Sequence, residues 1–381
     1  MILQKLKENA VGAALLSSWV LVMAIMYYTA YTKPPAEIGF TPAPTAALAM
    51  AAGQRGYTLT KVSLPSPQAA AFVAPCHYDG KSILFAQDTH AGYSSVIEYD
   101  VDTKQYTSVY HSAVGTAIRS LLCIQDTLYW VEYNPKLTEN ISWKIMSMDR
   151  RDQEPVVMRT GCCNADLHPP VLSARGAVLT WVEKTIANGR VYCNAYVKDH
   201  GEQEFGLATS VLDETDGANH RAGDFFIVQC PTPQGLLVQT SSFHNGTRST
   251  KLVSHSYEGS YMDVLYTGDD ITAFTANEQY YVITKADRVL VYSMRSKELV
   301  YDIPSGDRRT NNDMPYIWGD HLFYRHGANQ IIDVSLRDGS KMVVKQSEDV
   351  SAELFGMNEC LSFALNSAAP GDGAVDLYFI H

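Results

Sequence analysis

Leu128-Tyr129-Trp130-Val131-Glu132 and Leu179-Thr180-Trp181-Val182-Glu183 read almost alike, and their likeness decides the fold class. Each is a short apolar run rich in aromatic and β-branched residues, the composition of a buried strand. Working outward, the same kind of run recurs at Ile83-Leu84-Phe85, Leu236-Leu237-Val238, Tyr280-Tyr281-Val282, Leu322-Phe323-Tyr324 and Leu361-Ser362-Phe363. Together these make seven copies, at intervals of 39 to 57 residues.

Each copy is followed by a turn and a second strand, as at 94–101, 141–148, 190–197, 288–294 and 330–336. A turn carrying Asp or Gly comes next, for example Asp100-Val101-Asp102, Asp149-Arg150, Asp199-His200-Gly201 or Asp338-Gly339. A third strand (105–110, 154–159, 261–267, 341–346) and a fourth (117–124, 221–230, 271–276) lead into the next copy. Short strands with turns at about ten-residue spacing mark an all-β chain. Four strands per unit, repeated, is the pattern of a β-propeller, in which sheets standing side by side cover each other's apolar faces. Two consecutive β-sandwiches also contain many short strands, but they give no reason for a sevenfold signature. The last unit ends at His381 one strand short, while an unassigned strand, residues 57–64, precedes the first. The expectation is a seven-bladed β-propeller closed by that N-terminal strand.

Across nearly all of residues 57–381 the units resemble the broad seven-bladed propeller superfamily of TolB-type and WD40-like repeats. They depart from true WD40 repeats in having no Trp-Asp pair closing the blades and no Gly-His pair opening them. No hydrolase domain like that of the prolyl oligopeptidases accompanies them, so no family site residue carries over. The resemblance implies a ligand face made by loops that lead into the innermost strands and loops between second and third strands. It selects segments 161–170, 213–221, 268–270, 306–315 and 347–351. The candidate ligand-binding residues there are Asp213, Asp216, His220, Arg221, Asp269, Asp270, Arg308 and Asp313. Converging carboxylates could hold a divalent cation through oxygen ligands; they could equally pair with the nearby arginines or face water. No other cofactor is called for.

The remaining sequence speaks of placement. The chain has 381 residues, 46% hydrophobic and 19% charged, with a net charge of -11. Extensive disorder is excluded by the apolar content, and nucleic acid is an unsuitable partner for so acidic a surface. Residues 10–31 carry no charge, and 22 residues of helix span roughly 33 Å, enough for the hydrocarbon core. Lys5 and Lys7 precede this run and Tyr27, Tyr28 and Tyr31 gather at its far end. The reading is a short cytoplasmic segment (1–9), a single transmembrane signal-anchor helix (10–31), a Pro/Ala-rich linker (32–56) and an extracytoplasmic propeller (57–381). A cleaved signal peptide is the alternative. Against it stand an apolar run longer than the usual roughly 7–15 residues and the lack of a nearby small-x-small site.

Catalytic patterns such as GxSxG, HExxH, GxxxxGK[ST], GxGxxG and CxxC are absent. The functional expectation is a membrane-anchored binding or scaffolding module for a protein, peptide or glycan. The alternative is a cell-envelope hydrolase or lyase, with acid and base carboxylates facing each other across the ring centre. Cys162 and Cys163, with His168 close by, offer a possible thiolate but a poor chelate. The other five cysteines read as small hydrophobes on strands, with a Cys76–Cys360 disulfide as a way to lock the ring. Trp130 and Trp181, at matching positions, are expected to pack between sheets rather than stack on sugars.

Overall fold

The computed structural model describes residues 55–65, 73–88, 93–199, 202–213, 221–244, 247–258, 262–268, 270–305, 311–346, 350–357, 360–367 and 375–381. The apolar segment 10–31 and nearly all of the linker lie outside the described residues. Among those described, no helix is long and apolar enough to cross a membrane.

Polar and apolar alternation dictates the strands. In Arg190–Asp199, Val191, Cys193, Ala195 and Val197 are buried while Tyr192, Asn194, Tyr196 and Lys198 face the other way with partial exposure. Gly235–His244 is buried almost throughout, because both its faces are covered, and so it shows no alternation.

In chain order, β1 (Leu59–Leu64) comes first. A four-stranded antiparallel sheet follows, made of β2 (Ala74–Tyr78), β3 (Ser82–Asp88), β4 (Ser94–Asp100) and β5 (Gln105–His111). A second contains β6 (Ala117–Ile124), β7 (Thr127–Tyr133), β8 (Ile141–Asp149) and β9 (Val156–Cys163). The next two units are β10 (Ser173–Arg175), β11 (Val178–Ala187), β12 (Arg190–Asp199), β13 (Phe205–Asp213) and β14 (Ala222–Thr232), β15 (Gly235–His244), β16 (Thr247–Ser256), β17 (Met262–Gly268). They run together as one eight-stranded sheet. Two further four-stranded sheets are β18 (Ala273–Ala276), β19 (Tyr280–Thr284), β20 (Arg288–Ser293), β21 (Leu299–Pro304) and β22 (Asn312–Trp318), β23 (His321–His326), β24 (Gln330–Ser335), β25 (Lys341–Gln346). The last three strands are β26 (Val350–Gly356), β27 (Leu361–Ser367) and β28 (Val375–Ile380). They take β1 as a fourth member, in the order β1-β28-β27-β26, with Leu59 opposite Ile380 and Leu64 opposite Val375.

All seven copies of the sequence pattern fall on the second strand of a unit: β3, β7, β11, β15, β19, β23 and β27. Each first strand touches the next (β2, β6, β10, β14, β18, β22, β26 in turn), and β26 touches β2. The apolar core lies between neighbouring sheets. Leu84 and Val96 of one sheet, for instance, pack with Leu128, Trp130 and Met146 of the next.

The Trp-Val-Glu ending of the two matching runs has a structural reason. Residues two apart share a strand face, so the glutamate lies beside the indole. Trp130 Nε1 donates to Glu132 Oε1 at 3.1 Å, and Trp181 Nε1 donates to Glu183 Oε1 at 2.9 Å. Both indoles are fully buried, as inter-sheet packing requires. Each glutamate is then engaged by the preceding sheet: Tyr110 OH donates to Glu132 at 2.6 Å, and Arg159 makes a two-pronged contact with Glu183. Arg159 also reaches Glu204 at 2.7 Å and lies 4.1 Å from the Tyr196 ring centre. The buried carboxylates are tolerated here because donors meet them: two converge on Oε1 of Glu132, and both oxygens of Glu183 accept.

A second polar knot fixes the chain just before β1. Asp333, on β24, is wholly buried. Its Oδ2 accepts from Arg55 Nη1 at 2.9 Å and Tyr57 OH at 3.0 Å, while His321 Nδ1 lies 2.9 Å from Oδ1. Tyr57 additionally packs edge-on against Phe323. The segment that adds a strand to β28 is thus also pinned to the neighbouring sheet.

The eight-stranded sheet arises because β13 and β14 pair at their turn ends, Leu212 with Gly223 and Asp213 with Ala222. Gly223 makes this possible. Its φ is +113°, and a Cβ there would lie 2.1 Å from the Val211 carbonyl oxygen. Gly223→Ala is therefore expected to cost about 1–3 kcal/mol and to loosen amide protection at the β13–β14 junction. An unchanged urea midpoint would show that the junction bears no such constraint.

Candidate functional site

Two cavities stand out. The first, about 450 Å³, is lined by residues from the first strand of each unit, including Cys76, Cys123, Arg175, Gln229, Cys230, Thr275 and Tyr316. Register shifts in β2, β6, β14 and β22 bend these inner strands, and Ser120 and Met314 adopt positive φ within two of the bulges. Arg175 reaches past β14 to donate to the Ala276 carbonyl. No Asp, Glu or His is among its described lining residues. Burial pushes the Cys76 and Cys230 thiols up, which keeps them protonated rather than nucleophilic.

The second cavity, about 420 Å³, opens on the face bearing the turns between second and third strands and the connections between units. The geometry comes from strand length. β11 to β16 are 9 to 11 residues long, whereas β18 to β24 have 4 to 7. β10 pairs with β11 only as far as Thr180, so Trp181–Ala187 run on beyond it toward the β11–β12 turn. The floor is apolar: Ile186, Val191, Leu212, Phe225, Ile227 and Phe243. Arg221 and Arg248 come from the starts of the strands nearby, and Asn164 and Asp166 from the loop after β9. The Arg221 guanidinium lies 5.8 Å from the Phe243 ring centre. Lys184 backs the floor, its Nζ 4.7 Å from the Phe225 ring centre and 3.2 Å from the Ile227 carbonyl; burial lowers its pKa.

The sequence-predicted residues fall as follows. Asp213 ends β13 and pairs with Arg190 at 3.2 Å. Arg221 is next to Ala222, the register partner of Asp213. Asp270 pairs with Lys285 at 2.8 Å. Asp313 is on strand β22 rather than in a loop, and Arg325 holds its two oxygens at 2.8 and 2.7 Å. Asp270 precedes β18 and Asp313 is the second residue of β22; the two segments are tied by Thr272 Oγ1 donating to the Asn312 carbonyl at 2.6 Å. Asp216, His220, Asp269 and Arg308 lie outside the described residues. Among the described residues no group of three His, Cys, Asp or Glu side chains is placed to hold a metal ion.

Cys162 and Cys163 end strand β9 instead of sitting in a loop. Cys162 is exposed and Cys163 buried, its thiol pushed up to about 11 by burial first and then by its neighbour. No disulfide joins any two of the seven cysteines, Cys76 and Cys360 included. Arg248 and the apolar floor were not singled out from sequence. The available signal was spacing: the intervals from Leu128 to Leu179 and from Leu179 to Leu236 are the two longest, 51 and 57 residues.

No family model matches the sequence. No curated protein matches it either. Solved structures do. A prolyl endopeptidase superposes with a TM-score of 0.55 at 9% identity, the match covering 88% of this chain and 52% of that one, so the chain spans about half of that enzyme's length. An oligogalacturonate lyase in complex with manganese gives 0.56 at 11% identity, covering 84% and 96%. The CNH domain of AfRom2 gives 0.51 at 8% identity, covering 84% and 99%. At such identities the likeness concerns the fold alone. The chain is all-β among its described residues and shares its fold with β-propeller proteins.

Proposed function

We propose that the chain is a membrane-anchored, extracytoplasmic binding module. Residues 10–31 span the membrane, 32–56 hold the body away from it, and 57–381 form a seven-bladed propeller fastened by β1. The count is supported by the seven second-strand copies, and the fastening by the β1–β28 pairing. The ligand, a protein, peptide or glycan, binds on the face where the eight-stranded sheet rises. The single observation carrying this reading is the cleft of about 420 Å³ on that face, a size and lining suited to ligand capture. The alternative hydrolase or lyase calls for two facing carboxyls. The cavity lined by the first strands supplies none among the described residues.

The test is retention of partners from native membranes by the full-length chain in detergent, with and without a chelator. The double variant Asp213→Asn/Arg221→Gln is expected to lower retention by about tenfold or more, roughly 1.4 kcal/mol, at an unchanged unfolding midpoint. Asp102→Asn, on the exposed β4–β5 turn of the opposite face, should leave it intact. Equal retention by both variants would remove the cleft face from the reading. Loss on chelation alone would assign the contact to a divalent cation.

A further inference from the structure

Arg248 differs from most arginines of this acidic chain. Arg55, Arg150, Arg151, Arg159, Arg190, Arg288, Arg325 and Arg337 each contact a carboxylate. Arg248 has no ion pair among the described residues. Its Nε donates to Ser241 Oγ at 2.9 Å, which orients the side chain and leaves the terminal amino groups of the fork for something else. It lines the cleft together with the apolar floor. A guanidinium so placed, in a molecule of net charge -11, complements an anion brought in on an apolar body.

We propose that the cleft captures the carboxyl-terminal residue of a peptide, its apolar side chain on Leu212, Phe225 and Phe243 and its carboxylate on the Arg248 fork. The proposal rests on the binding-module reading and names its ligand class. Polar groups at the same cleft favour a peptide over a fatty acid. Asn164, whose Oδ1 already takes the Leu167 N–H, keeps its amide donor, and the exposed Asp166 carboxylate offers an acceptor. Both match the main-chain N–H and C=O groups of a peptide, which an acyl chain lacks.

Fluorescence anisotropy with the full-length chain tests this, using fluorescein-labelled peptides ending in Leu, Phe, Ile, Val or Met, each as free acid and as carboxyl amide. The free acids are expected to bind about tenfold or more tighter than the amides, because the amide keeps the shape and removes the charge. Arg248→Gln should erase that preference, while Arg248→Lys, a charge without the fork, should restore only part of it. Arg248 is exposed, so both variants should retain the wild-type unfolding midpoint. Equal affinity for acid and amide, a preference that survives Arg248→Gln, or no binding of any probe would overturn the proposal. If the probes fail while partner retention still depends on the Asp213/Arg221 pair, the ligand class is wrong and the binding module stands.

Discussion

Asp333→Ala is expected to destabilise the protein by about 3–5 kcal/mol, the usual cost of removing one partner from a buried charged group. The carboxylate is fully buried and holds Arg55, Tyr57 and His321 together. Burial pushes the Tyr57 hydroxyl well above its ordinary pKa, and the nearby carboxylate adds to the push, so it stays protonated and donates. Without Asp333 that hydroxyl is left buried and the Arg55 side chain loses its anchor. The effect should reach β1, since residues 55–57 lead directly into it. Urea unfolding should show a lower midpoint at similar slope, and amide exchange should quicken in β1 and β28. Asp333→Asn, which keeps the shape and one acceptor, should fall between the alanine variant and the wild type. A midpoint unmoved by the alanine change would mean that the knot is incidental.

Trp181→Ala should cost a similar amount, about 3–5 kcal/mol, through the lost burial and the cavity left behind. The indole is fully buried and stacks on Tyr196 at 5.4 Å, with the planes 13° apart. Trp181→Phe separates two contributions, because it retains most of the apolar area yet removes the Nε1 donor from Glu183. That change is expected to cost about 1–3 kcal/mol. A double-mutant cycle with Glu183→Gln should then show coupling of about 0.5–3 kcal/mol, as contacting groups do. An alanine variant losing under about 1 kcal/mol would contradict the core role that the burial assigns.

How far the sequence was legible follows from these same residues. The short apolar runs could be read because a second strand covered on both faces must be apolar whichever way its side chains point. Their recurrence fixed the unit, and each proved to occupy the same rank in its sheet. The glutamates of the two Trp-Val-Glu runs are visible but unassigned in the sequence, since their partners Tyr110 and Arg159, both on the fourth strand of the preceding unit, differ in residue type and follow no local spacing. From sequence Asp313 reads as a loop residue because residues 306–312 are polar and hold Asp, Asn and Arg, and nothing local announces that Arg325 will hold it across the ladder. The inner-strand bulges, with Ser120 and Met314 at positive φ, answer to crowding of neighbouring inner strands, which is a tertiary effect. The cleft combines residues from β11, β12, β13, β14, β15 and β16 with a loop after β9, so it has no motif, only unusually long intervals.

The double attachment of the N-terminal segment has a mechanical consequence. Tension on the chain upstream of Arg55 meets the Arg55–Asp333 pair before it reaches any ladder hydrogen bond. Beyond that clamp, a pull along β1 loads its six registered pairs with β28 together, in shear, instead of peeling them one after another. A body tethered by this end would bear strain at its seam with two successive yield points, the salt bridge first and the strand second.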